Sequence, residues 1–167
     1  AGAATGAGRS GTLASTPTLT YDAVKDSMIG TLSVTGLTAS TTAAVRKGDV
    51  IEFTGTADDA RSYVNMNTRE TIMGADGGPV KFRCTVTEDA NTAAGGAATV
   101  SVTAPAIYET ASGKGAYNNI SAALASGDAF TLLGSAGTIY QPNLFFAKDA
   151  FIVDTVKIPK LEAQDVT

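Results

Sequence analysis

VKFRCTVTEDANTAAGGAATVSVTAPAI, residues 80–107, decides the fold. Side chains alternate between the two faces of a strand. In the first half Val80, Phe82, Cys84 and Val86 share one face, and Lys81, Arg83, Thr85 and Thr87 share the other. In the second half Val100 and Val102 are set for the same apolar side, and Pro105 stands near the end. Asn91–Gly96, NTAAGG, is a loose turn between them. Two runs of matching period joined through glycines read as a β-hairpin. Their Thr- and Ser-rich outer faces fit an antiparallel sheet with one face buried.

Moving outward, the same pattern recurs. GTLSVTG sets Leu32 and Val34 against Thr31, Ser33 and Thr35, and Gly36 ends it. Lys47-Gly48-Asp49 is turn chemistry, and Val50-Ile51-Glu52-Phe53 is a strand closed by Gly55. Phe130–Leu133 in AFTLLG is a further strand. The polar, Gly-broken run before it allows a short helical turn over Ser121–Ala125. Short strands with frequent turns predict a mainly β fold, an antiparallel barrel or sandwich. Thr12–Asp26, with Pro17 and many hydroxyls, reads as an extended segment or long loop. Thr56–Pro79 is a polar insertion long enough to be functional or mobile.

Composition narrows the function. The chain has 167 residues, 18 Gly and only 7% aromatics, which suits turns and short strands better than a helical bundle. There is no His and one Cys, so neither a Ser-His-Asp site, a Cys-His site nor a Cys/His zinc site can be built. An intramolecular disulfide is excluded for the same reason. Cys84 reads as a small core thiol rather than a reactive one. The net charge of −4 comes without a basic stripe, which argues against specific nucleic-acid binding. No apolar run approaches the roughly 18 residues of a membrane-spanning helix. AGAATGAGRSG at the start reads as a flexible linker, so a chain opening there is expected to be an excised or processed piece.

Few motifs suggest chemistry. The acid pairs Asp22/Asp26, Asp58-Asp59 and Glu88-Asp89 lack calcium-loop spacing and read as solvated turns. GADGG (74–78) and AAGGAA (93–98) lack the Lys-Ser/Thr of a phosphate loop. Asn119-Ile120-Ser121 matches the N-glycosylation acceptor, a triplet common by chance. No cofactor or metal is expected. Two charge groups remain: Asp22, Lys25 and Asp26 in the first polar segment, and Asp58, Asp59, Arg61, Arg69 and Glu70 in the second. They are either ordinary solvated loops or contact loops, in which charges of both signs set partner and register.

Taken in order, GTLASTPTLTYDAVKDS, GTLSVTG, VRKGDVIEFTG, FRCTVTEDANTAAGGAATVSVTAPAI, GAYNNISAALASGDAFTLLG and YQPNLFFAKDAFIVDTVKIPKL resemble the major coat protein of short-tailed phages of the P-twenty-two type. The resemblance covers nearly all of the chain after its first ten residues. It implies a telokin-like insertion-domain β-barrel over 29–134, preceded by linker and extended loop (1–28) and followed by a segment (135–167) returning to the capsid shell domain. It places Thr12–Asp26 where the family has a loop reaching a neighbouring capsomer. Thr56–Pro79 falls where the family has a loop tied to capsid size control. The implied role is structural: a tailed-phage head built from copies of one coat protein, assembled in the host bacterial cytoplasm, without enzymatic activity. Scaffolding and portal proteins are implied as partners of the parts of a coat subunit outside this sequence; no membrane is implied. The rival readings are a capsid decoration protein or a virion carbohydrate-binding sandwich. Under those, Leu144–Ile158, within the apolar stretch Asn143–Pro159, would pack inside the chain's own core rather than join a shell domain.

Overall fold

The computed structural model describes residues 8–55, 61–111, 113–138 and 141. Six strands close into one antiparallel barrel: β1 (Ser10–Leu13), β2 (Ile29–Thr35), β3 (Val50–Gly55), β4 (Arg83–Val86), β5 (Ala98–Thr103) and β6 (Ala129–Leu132). Their order around the barrel is β1-β2-β5-β4-β3-β6, and β6 pairs back onto β1. A single helical turn, α1 (Tyr21–Val24), and a 3-10 turn (Gly115–Tyr117) lie in the connections.

Inward positions meet across the sheet as the alternation requires. Leu32 faces Val100, Val34 faces Ala98, Ile51 faces Cys84 and Leu132, and Phe53 faces Phe130. All of these are buried, and Phe53, Val100 and Phe130 are almost fully so. Burying one such side chain contributes about 1.5–3 kcal/mol, and closure removes the open sheet edges that invite aggregation. Leu19, Leu37, Val45, Ile107, Ile120 and Leu124 from the connections, with Val24 of α1, belong to the same buried cluster as the strand residues.

The hairpin of 80–107 forms, with Thr85 opposite Thr103 and Val86 opposite Val102. Its first strand begins at Arg83 rather than Val80. The backbone before it turns to bond elsewhere: the Phe82 N–H donates to Arg61 O, and the Phe53 N–H donates to Phe82 O. Two other expectations need correction. The barrel takes its first strand from Ser10–Leu13, inside the stretch read as linker and extended loop. Only Leu13 of those four residues is fully buried, so no alternation announces the strand. No helical turn forms over Ser121–Ala125; the turn lies a few residues earlier, at Gly115–Tyr117. The stretch Asn143–Pro159 lies outside the described residues.

Candidate inter-subunit surface

Thr20 starts α1: its Oγ1 accepts a hydrogen bond from the Ala23 N–H at 3.3 Å. Asp22 occupies the first turn, where the unpaired N–H groups favour a carboxylate. Val24 anchors the turn in the core. The rest is fastened to the loop before Asn118. The Tyr21 N–H donates to Glu109 Oε1 at 2.8 Å. The Tyr21 and Tyr117 rings stack with centroids 3.7 Å apart and planes 9° from parallel. Lys114 Nζ donates to Asp22 Oδ2 at 2.7 Å, and Lys25 Nζ lies 3.7 Å from Asp22 Oδ1. The Lys114 hydrogen bond, with help from Lys25, holds the Asp22 carboxyl below its ordinary range. The same bond raises the Lys114 ammonium. A cleft of about 170 Å³ lies between Tyr21, Glu109, Lys114 and Tyr117.

The described part of the second polar segment is tied to the barrel along its length. Ser62 bridges to Lys81 and Tyr63 to Ile120, and Val64 pairs with Thr71 to close a small hairpin. The Tyr63 ring packs on Phe82 with centroids 4.7 Å apart, and its hydroxyl donates to Arg83 O at 2.9 Å. At the hairpin tip Asn65 Oδ1 accepts from the Asn67 and Thr68 N–H groups. Arg69 there has a positive φ of 66°. Its guanidinium donates to the carbonyls of Gly115 and Ala116, the latter at 3.0 Å. A more open cleft of about 460 Å³ lies between Val64, Arg69, Tyr108, Asn118 and Ile120.

The two charged loops therefore converge on one segment, 109–118, although they are some 40 residues apart in the chain. Asp22, Lys25, Asp26, Arg69 and Glu70 are exposed. Arg61 differs from the expectation of a contact-loop charge. It is 8% exposed and clamps Asp128, itself 1% exposed, through Nε at 2.9 Å and Nη2 at 3.1 Å. Its charge serves the inside of the fold. Asp58 and Asp59 lie outside the described residues.

Sequence reasoning missed several residues that shape this surface. Asn118 reproduces a backbone bridge with its side chain: its Oδ1 accepts from the Glu109 N–H, and its Nδ2 donates to Glu109 O. Asn119 does the same between Ile107 and Pro105. The only sequence signal at Asn119 was the glycosylation triplet, yet its amide is engaged with backbone and Ile120 is buried. Lys114 and Glu109 carried no signal, because their partners stand 92 and 88 residues away.

All of residues 1–167 match the family described as "P22 coat protein - gene protein 5". The chain belongs to the P22 coat protein family. The major capsid protein of Acyrthosiphon pisum secondary endosymbiont phage 1 is 32% identical over 154 residues, 92% of this chain. Those residues amount to 34% of that relative, so the chain spans about a third of its length. Among solved structures, the "CUS-3 coat protein I-domain" is similar with a TM-score of 0.48 and 21% identity, over 75% of this chain and 96% of that one. The family is one of coat proteins, which agrees with the structural role expected of the sequence.

Proposed function

We propose that this chain is the insertion-barrel region of a phage major coat protein, and that it works in the virion by contact with other copies of the same protein. The match of all 167 residues to a coat-protein family carries this reading and favours it over a decoration or carbohydrate-binding module. The barrel supplies a rigid body, and the exposed charges Asp22, Lys25, Asp26, Arg69 and Glu70 supply the contact. Charges of both signs favour one register and disfavour others, which suits a lattice of identical copies. Assembly within the host cytoplasm, the return of 135–167 into a shell domain, and any contact with scaffolding or portal proteins belong to the same proposal.

The test is charge reversal in the full-length coat protein. Asp22→Lys with Asp26→Lys is expected to reduce or abolish head assembly, scored by sedimentation and electron microscopy, while the subunit keeps its thermal transition. Normal assembly by the double variant would remove the contact role of this loop. Loss of the folded subunit would show instead that these charges serve the fold.

A further inference from the structure

Asp22, Lys25 and Asp26 sit on and just beyond a helical turn of four residues. A turn so short has no stability of its own. Its position is set by what holds it: the Val24 anchor, the Tyr21–Tyr117 stack, the Glu109 carboxylate on the Tyr21 N–H, and Lys114 on Asp22. Three of these four fastenings come from one segment, 109–117, and none of the three is a core contact. Tyr117 is 47% exposed, a large ring kept at the surface to stack on the half-buried ring of Tyr21, which itself packs against the core. The 3-10 turn carrying Tyr117 is in turn held by Arg69 of the second loop.

We propose that Glu109, Lys114 and Tyr117 are positioning residues for docking a second copy of this chain. They clasp α1 to the barrel, so that its charges meet the neighbour in one arrangement instead of being ordered at the moment of contact. Preorganisation of this kind raises affinity by lowering the entropy lost on binding. The clasp leaves Asp26 and Lys25 outward, and Lys114 offsets the charge of Asp22. The neighbour therefore meets Asp26 and Lys25, held outward beside an Asp22 whose charge Lys114 has already offset. Arg69 extends the clasp to the second loop and makes the two loops one surface. This inference rests on the inter-subunit reading above.

The experiment uses the full-length coat protein with Tyr117→Ala, Lys114→Ala and Tyr117→Phe, beside the Asp22→Lys/Asp26→Lys double variant. Hydrogen exchange of the peptide containing the Tyr21 amide reports the clasp, and assembly kinetics report docking. Tyr117→Ala and Lys114→Ala are expected to speed that exchange and slow assembly by about two- to tenfold, the range for loss of one aromatic or ionic contact. Tyr117→Phe keeps the stack and is expected to match the parent in both. Faster exchange with unchanged assembly, while the double variant fails to assemble, would overturn the positioning role and leave the interface standing. Normal assembly by the double variant would remove the interface, and this inference with it. Should Tyr117→Ala lose its fold, Lys114→Ala decides alone, since Lys114 is an exposed side chain.

Discussion

Arg61 and Asp128 lie 67 residues apart in the chain and close to 2.9 Å. Asp128 is a junction. Its Oδ2 also accepts the Ala125 N–H at 2.8 Å, and its carbonyl accepts the Leu13 N–H at 2.9 Å. Removing one member of a buried ion pair leaves the other charge desolvated, at a cost of about 3–5 kcal/mol. Asp128→Ala is therefore expected to lower unfolding free energy by that amount in a urea titration. Lys25→Ala, in an exposed pair, is expected to change it by less than about 0.5 kcal/mol. Cys84 gives a second prediction at this scale. Burial pushes its thiol up to about 12. The thiolate is the reactive form, so a maleimide at pH 8 is expected to leave Cys84 unmodified until denaturant is added. The sign follows from the shift. As pH rises from the ordinary 9.0 towards 12, the unfolded thiol loses its proton first, so the contribution of Cys84 to stability falls over that window. The aliphatic setting of Cys84 was readable from VKFRCTVT; the partner of Arg61 was not, because nothing local marks Asp128 as its counterion.

Among the elements, the strands with a full alternating face were legible: β2, β5, most of β3, and β6. Each puts two or more large side chains inward, and a period of two is visible without knowing the partner strand. β1 offers only Leu13, and α1 was hidden by Pro17 and the hydroxyl run. Its remaining signal was the Thr20 cap with Asp22 behind it. The β4–β5 hairpin contains an element-level constraint. Gly96 in its turn has a φ of +74°, and a Cβ there would stand 2.2 Å from Leu37 O, in the loop after β2. Gly96→Ala is expected to cost about 1–3 kcal/mol, from the left-handed backbone and the backbone clash together. Neighbouring Gly95 has open space around a Cβ position, so Gly95→Ala is expected to be close to neutral. Comparing the urea midpoints of the two variants checks this. Equal midpoints would mean that the turn is not pinned against Leu37 as described.

For the whole molecule, the sequence by itself determined the strand type, the inward faces, the absence of a histidine- or disulfide-based chemistry, and the order of segments resembling a coat protein. These are properties of near neighbours or of composition, and they persist whatever the chain folds against. Only the tertiary structure decided that Ser10–Leu13 closes the barrel against Ala129–Leu132. It alone brought Lys114 to Asp22, turned Arg61 inward, and joined the two charged loops on the segment 109–118. The reason is physical. A hydrogen bond or ion pair depends on distance in space, and a loop's charge has no fixed direction until the core fixes the backbone that carries it. Sequence patterns report the burial that drives the strands together; they do not report which polar groups that collapse leaves face to face.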